Sequence, residues 1–176
     1  VVYFMGRSLE NTARNDFYRV NVNGKNMERL TIGEYNNSIN LSPDGSYFVV
    51  TYNNTGTPTK MTLMSTKRKI IKELGDSKGT EFDNYNLAKT EIVRVKSDDG
   101  LYDLPMKVTW PLNMDKSKKY PVLISVYGGP NAGSVMDTWG FSGNQQWYAK
   151  EGLIQVVMDH RASGHFGKEG VANMYH

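Results

Sequence analysis

The stretch Pro121-Val122-Leu123-Ile124-Ser125-Val126-Tyr127-Gly128-Gly129-Pro130 decides the fold of this chain. Its nearly unbroken apolar and β-branched residues predict a strand buried on both faces, as in a parallel sheet. The glycines and Pro130 predict an abrupt loop, because glycine permits a sharp turn and proline disfavours helix before it. Open α/β sheets bind ligands at the carboxyl ends of their strands, so Tyr127 becomes a candidate hydrogen-bond donor to a substrate oxygen. The alternative is a tyrosine that caps a core strand beside an ordinary turn.

The residues after this stretch predict a β-α-β unit. A short helix is expected over residues 144–151, with Ser142 or Asn144 as its N-cap and Gly152 just past its end. A second continuous apolar run follows at residues 153–158. Two apolar strands joined by a helix are typical of a parallel pair.

The residues before the stretch predict an antiparallel hairpin. Residues 90–96 alternate, Ser97-Asp98-Asp99-Gly100 has the composition of a turn, and residues 102–110 alternate with period two. We expect this pair at the sheet edge, where Pro105 would be tolerated. An antiparallel hairpin that leads into a parallel sheet is typical of the opening of an α/β-hydrolase domain.

The first half of the chain has a different, all-β pattern. Phe4 and Phe48 lie 44 residues apart, and each begins a similar series of short strands and turns. A repeat of that length built from four strands is typical of propeller blades, the alternative being an unrelated meander. The predicted strands are residues 1–5, 17–22, 39–41, 47–52 and 61–64, with turns at Asn23-Gly24, Pro43-Asp44-Gly45 and Asn53-Asn54.

Composition excludes several classes of function. The 176 residues carry a net charge of +3 with both signs interspersed, which argues against a nucleic-acid groove. No apolar run approaches the roughly eighteen residues that a membrane span needs. The absence of cysteine excludes disulfides, thiol catalysis and cysteine zinc sites in this segment. Because the chain opens within a strand pattern, we expect it to be a piece of a longer protein.

Four motifs occur in an order and at a spacing that resemble a known family. They are Ser42-Pro43-Asp44-Gly45-Ser46-Tyr47-Phe48, Lys119-Tyr120-Pro121, Val126-Tyr127-Gly128-Gly129-Pro130 and Asp159-x-Arg161-x-Ser163-Gly164. Together they resemble the dipeptidyl-peptidase IV branch of the prolyl oligopeptidase (S9) family of serine peptidases. The resemblance implies the C-terminal part of a β-propeller over residues 1–86. It implies the N-terminal part of an α/β-hydrolase domain, truncated before the nucleophile, over residues 87–176.

The resemblance also implies a function. The full-length protein would be a serine exopeptidase that releases N-terminal dipeptides, often X-Pro, through a Ser-Asp-His triad C-terminal to this chain. Tyr127 would donate its hydroxyl to the oxyanion of the tetrahedral intermediate. Neither a cofactor nor a metal is implied, the substrates are peptides, and the full-length protein would be an extracytoplasmic homodimer. This chain alone would be inactive. Ala162 stands where the family usually has glycine.

Two alternatives remain open at this stage. One is a tripeptidyl peptidase, acylaminoacyl peptidase or oligopeptidase of the same fold, since the residues that separate these specificities would lie upstream. The other is a catalytically dead propeller–hydrolase protein that acts as a binding partner. The residue at the nucleophile position would decide between enzyme and binder.

Several other residues resemble parts of functional motifs. Gly75-Asp76-Ser77-Lys78-Gly79 matches G-x-S-x-G but lacks the buried strand before it and the helix after it that a nucleophile elbow needs, so we interpret it as a polar linker. Ser163 lacks flanking glycines. His160 and His165 have no metal-ligand spacing and are interpreted as loop histidines. We expect Asp159 and Arg161 to pair and brace their loop. Trp139 is most simply a core or interface residue.

Overall fold

The structure, a computed structural model, describes residues 1–8 and 10–174. The last two residues of the predicted hydrolase segment therefore lie outside the described residues. The chain divides into two compact units, Val1–Thr80 and Glu81–His176. The described residues are mostly β-strand, arranged in three sheets with few helices.

The first unit consists of two antiparallel sheets. One has the strand order β1-β2-β3 and the other the order β4-β5-β6-β7, so each strand of the second sheet pairs with its neighbour in sequence. The strands are β1 (Val2–Gly6), β2 (Asp16–Val20), β3 (Glu28–Arg29), β4 (Asn36–Leu41), β5 (Tyr47–Asn54), β6 (Thr57–Ser65) and β7 (Ile70–Asp76).

The five strands predicted in this unit are all present, with boundaries shifted by a few residues. The turn predicted at Asn53-Asn54 is wrong, because both residues end β5 and the turn falls on Thr55-Gly56. Strands β3 and β7 were not predicted. The first is only two residues long, and the second is exposed throughout and mixes charged with apolar residues, so neither has an alternating pattern.

One apolar core joins the two sheets of the first unit. It consists of Phe17, Leu30, Phe48, Val50 and Met64, all buried. The rings of Phe17 and Phe48 meet edge to face at 5.2 Å between centroids, so residues from β2 and β5 interlock at its centre.

A buried carboxylate lies beside this core. Asp16 accepts hydrogen bonds from the hydroxyl of Thr31 at 2.6 Å and the side-chain amide of Asn37 at 3.1 Å, and it pairs with Arg29 at 2.9 Å. These partners satisfy the buried charge and connect β2, β3 and β4.

The second unit contains one four-stranded sheet of order β10-β11-β9-β8. Its elements are β8 (Thr90–Lys96), β9 (Asp103–Thr109), β10 (Val122–Ser125), α1 (Gly143–Lys150), β11 (Ile154–Met158) and α2 (Gly167–Ala172). The predicted hairpin is confirmed, since β8 and β9 pair antiparallel and the N–H of Gly100 donates to the carbonyl of Ser97 at 2.8 Å. The predicted β-α-β unit is also confirmed: β10 and β11 pair in parallel on either side of α1.

The helix α1 lies close to its predicted position. It begins one residue earlier, with Ser142 at the N-cap position, and Gly152 follows its end at φ +84°. The Ser142 side chain makes no capping hydrogen bond. Instead, a polar chain holds the helix to the sheet: Gln155 donates to the carbonyl of Gln145 at 2.9 Å, and the Gln145 side chain donates to Thr109 at 2.7 Å.

Two predictions about this sheet are wrong. Strand β10 is buried on neither face, because all four of its residues are exposed, Ile124 to 60%. The β8–β9 pair lies at one end of the strand order, but Pro105 does not lie on an edge strand, since β9 is flanked by β8 and β11. Pro105 is tolerated for another reason. The register of β9 against β11 ends at Met106, so the missing N–H of Pro105 falls just beyond that ladder.

Candidate functional site

The candidate site lies where the two parallel strands end. Because β10 and β11 run in the same direction, the loops that follow them leave the same edge of the sheet, where ligand crevices of α/β folds form. The tyrosine loop (residues 126–142) connects β10 to α1, and the aspartate loop (residues 159–166) connects β11 to α2. Together these loops contain the predicted site residue and the motif that begins at Asp159.

Tyr127 lies near the start of the tyrosine loop, and its side chain is exposed. Its side chain is 71% exposed, and its hydroxyl has no hydrogen-bond partner among the described residues. Gly128 adopts φ +77°, which favours glycine, and a Cβ at Gly129 would lie 2.5 Å from Cε1 of Tyr127. The two glycines therefore shape the backbone around the ring. A phenol with no internal partner is free to donate to a bound molecule.

Asp159 is the first residue of the aspartate loop, and it is buried. The residue is 2% exposed, and its carboxylate accepts the backbone N–H of Ser134 at 3.0 Å and that of Val135 at 2.7 Å. Nε2 of His165 lies 2.8 Å from Oδ2 of the same carboxylate, and the His165 side chain is fully buried. Asp159 thus binds the tyrosine loop and the far end of its own loop at once.

The predicted pair of Asp159 and Arg161 is wrong. The guanidinium of Arg161 instead contacts Asp99 of the β8–β9 hairpin at 2.6 Å and lies 4.9 Å from the ring centroid of Tyr102. The chain enters a turn at Arg161, which directs its side chain away from Asp159. Hydrogen bonds from Arg161 and Ser97 lower the pKa of Asp99 to about 2.

The two histidines have separate partners. Nδ1 of His160 accepts the backbone N–H of Ala162 at 3.1 Å, which is a local turn contact, whereas His165 reaches Asp159. The interpretation of His165 as an ordinary loop histidine therefore missed its buried hydrogen bond to Asp159. The sequence did contain a signal for this contact. Asp159 directly follows an apolar strand, and a buried carboxylate needs hydrogen-bond partners. Among the described residues, no three His, Cys, Asp or Glu side chains come together as a metal site.

Lys107 supports the far half of the tyrosine loop. Its ammonium donates to the carbonyl of Met136 at 3.3 Å and to that of Thr138 at 3.4 Å. Burial lowers the pKa of Lys107, and the nearby Asp137 carboxylate opposes the shift.

The neighbouring Trp139 packs its ring against Phe82 at 5.6 Å between centroids, so it is a packing residue in this unit.

Neither Ser77 nor Ser163 has the geometry of a serine nucleophile. Ser77 follows β7, which is exposed throughout rather than buried, and the helix nearest after it is a single 3-10 turn at Phe82–Asn84. Ser163 is buried at 2% exposure. The site therefore offers a hydrogen-bond donor, Tyr127, on a braced loop, without an activated nucleophile among the described residues.

Comparison with known proteins gives consistent matches. The family model of the dipeptidyl peptidase IV (DPP IV) N-terminal region matches residues 1–59. Prolyl endopeptidase FAP of Bos taurus is 38% identical over 107 residues, which is 60% of this chain and 14% of the relative. The probable dipeptidyl-aminopeptidase B of Neosartorya fischeri is 30% identical over 184 residues, which is 96% of this chain and 19% of the relative. The chain thus spans less than a quarter of the length of these curated relatives.

A solved structure has a similar fold. The crystal structure of Porphyromonas gingivalis dipeptidyl peptidase 4 superimposes with a TM-score of 0.79 at 24% identity, covering 90% of this chain and 22% of that one. None of the helices in the described part of the chain is long and apolar enough to cross a membrane. Taken with the four sequence motifs, these matches support a fragment similar to the dipeptidyl-peptidase IV branch of the prolyl oligopeptidase (S9) family.

Proposed function

We propose that this chain is part of a serine exopeptidase that releases dipeptides from peptide N-termini, and that Tyr127 is its oxyanion donor. The observation that carries the proposal is the exposed Tyr127 hydroxyl, which has no hydrogen-bond partner among the described residues. A donor held at the carboxyl end of a strand suits the stabilisation of an oxyanion, where one donor is typically worth about 3 kcal/mol.

The domain assignment supports this function. In the proposal, residues 1–86 are the C-terminal part of a β-propeller and residues 87–176 begin an α/β-hydrolase domain. The four-stranded meander β4-β5-β6-β7 supports a blade, and the hairpin followed by a parallel β-α-β unit supports the hydrolase.

The rest of the catalytic machinery is assigned by family likeness. The serine nucleophile, the aspartate and the histidine would be supplied by sequence C-terminal to residue 176. In that mechanism the serine attacks the peptide carbonyl, the histidine takes the serine proton and later gives it to the leaving amine, and the aspartate orients the histidine. Tyr127 would donate to the carbonyl oxygen as it becomes negative. Such chemistry needs no cofactor. We further propose an extracytoplasmic homodimer acting on peptides.

One experiment tests the activity. The full-length protein that carries this chain is incubated with a fluorophosphonate probe, and separately with peptides whose second residue is proline. We expect covalent labelling, release of the N-terminal dipeptide, and no cleavage of the same peptides after N-acetylation. Absence of both labelling and cleavage would instead favour the catalytically dead binding protein.

A second candidate is an endopeptidase of the same fold. It is favoured by the 38% identity over 107 residues to a relative named prolyl endopeptidase. The acetylated peptide distinguishes the two candidates, because an endopeptidase does not need a free amino terminus. Cleavage of the acetylated peptide at a rate similar to that of the free peptide would favour the endopeptidase.

A further inference from the structure

The backbone of the tyrosine loop is anchored on both sides of Tyr127. Upstream, β10 pairs in register with β11 as far as Ser125 and Val157. Downstream, the N–H of Asn131 donates to the carbonyl of Ala162 at 2.8 Å, and the N–H groups of Ser134 and Val135 donate to Asp159. The downstream anchors nearest to Tyr127 are therefore provided by the aspartate loop, and Lys107 holds the loop farther along, at Met136 and Thr138.

Gly133 brings the two loops into direct contact. A Cβ at this position would lie 2.9 Å from Nε2 of His165, 3.1 Å from the carbonyl oxygen of Ser163 and 3.3 Å from Oδ2 of Asp159. The tyrosine loop thus packs its backbone directly on the Asp159–His165 pair. A close approach of this kind requires glycine, because any larger residue would hold the loops apart.

The Asp159–His165 pair is isolated from solvent. Both side chains are at most 2% exposed, so the carboxylate depends on its protein partners for hydrogen bonds. Removing the imidazole N–H would leave a buried oxygen short of a donor, and the carboxylate would then have to shift or admit water. Either response would move the backbone of residues 134 and 135, which the carboxylate holds.

From this geometry we infer that Asp159 and His165 are positioning residues for Tyr127. The inference rests on the proposed function, in which the Tyr127 hydroxyl donates to the oxyanion. The pair touches neither substrate nor reacting atoms, and it acts by fixing the loop on which the phenol stands. A group displaced by about 1 Å can lose as much as a hundredfold in rate. The effect falls on kcat rather than on KM, because the oxyanion forms after substrate has bound.

A double-mutant cycle tests the inference in the full-length protein. His165→Leu removes the donor, and His165→Gln retains a side-chain N–H that can reach the carboxylate. Each is made alone and together with Tyr127→Phe, and active molecules are counted by fluorophosphonate titration so that misfolded protein does not contribute. We expect His165→Leu to lower kcat about 10- to 100-fold with KM changed less than about threefold, and His165→Gln to recover most of the loss.

The decisive comparison is made in the Tyr127→Phe background, which lacks the phenolic hydroxyl. If His165 acts through Tyr127, His165→Leu lowers kcat less than about threefold further in Tyr127→Phe, because the group that it positions is already gone. An equal fold-loss in both backgrounds, or no loss in the presence of Tyr127, would overturn the inference and leave the proposed function standing. A Tyr127→Phe variant with unchanged kcat would instead overturn the proposed oxyanion role and this inference with it.

Two further variants complete the test: a matched control, and a substitute for His165→Leu. Arg161→Met is the matched control, because it lies in the same loop but contacts Asp99 and Tyr102 rather than the tyrosine loop. Its kcat is expected to stay within about threefold of wild type in both backgrounds, and a loss equal to that of His165→Leu would overturn the inference. If His165→Leu does not fold, Asp159→Asn carries the same comparison. Its amide has the same shape but only one oxygen for three donors.

Discussion

An alanine at position 133 is expected to destabilise the second unit, because a Cβ there has no room. Its nearest neighbours would be Nε2 of His165 at 2.9 Å, the Ser163 carbonyl oxygen at 3.1 Å and Oδ2 of Asp159 at 3.3 Å. All three residues are buried, so none can turn away into solvent. Overpacking of a site of this kind costs about 1–3 kcal/mol. For a unit of this size the corresponding fall in unfolding midpoint is about 4–24 °C.

Thermal unfolding followed by tryptophan fluorescence measures this effect. All three tryptophans of the chain belong to the second unit, so their signal reports the unit that contains Gly133. Gly140→Ala is the matched control, because it lies in the same loop and no described atom comes within 4 Å of a Cβ built there. Its midpoint is expected to stay within about 2 °C of wild type. Equal midpoints for the two variants would refute the close packing of the tyrosine loop on the Asp159–His165 pair.

Phe48→Ala is expected to cost about 3–5 kcal/mol in the first unit, since Phe48 is 1% exposed at the centre of its core; chemical denaturation checks this, and a cost below about 1 kcal/mol would contradict it. Hydrogen bonds lower the pKa of Asp99 from 3.8 to about 2, so its ionised form stabilises the fold above pH 3.8. The stability advantage of wild type over Asp99→Asn should therefore shrink as the pH falls from 3.8 to about 2, and a constant difference in melting temperature would be inconsistent with the Arg161 contact. Burial lowers the pKa of Lys107 below 10.5, so the unfolded chain binds more protons just below that pH. The stability of wild type relative to Lys107→Met should rise as the pH approaches 10.5, and a flat difference would argue against burial of the ammonium.

Local pattern was sufficient to predict most strands and the parallel unit. Residues 90–96 alternate and are followed by a turn with glycine at its fourth position, and the structure has a strand over Thr90–Lys96 with Gly100 at φ +72°. The helix before β11 was predicted from its N-cap position and the glycine after its end. These features depend on neighbours in sequence, which the sequence displays directly.

Burial and partner choice were not predictable in the same way. The apolar run of β10 indicated a strand, but its exposure depends on which elements cover it, and among the described residues only β11 pairs with it. Arg161 lies two residues from Asp159 and yet pairs with Asp99, 62 positions away. Two of the partners of Asp159, the N–H groups of Ser134 and Val135, come from a loop 25 and 24 residues upstream. Such pairs are set by the tertiary fold, which brings distant loops to one edge of the sheet.

The most direct test of the account is steady-state kinetics of Tyr127→Phe in the full-length protein, with active sites counted by titration. The substitution removes one hydroxyl from an exposed ring, so neither the fold nor the number of active sites should change. We predict that kcat for dipeptide release falls about a hundredfold or more while KM hardly changes. A kcat within about threefold of wild type would contradict the role of Tyr127 as oxyanion donor.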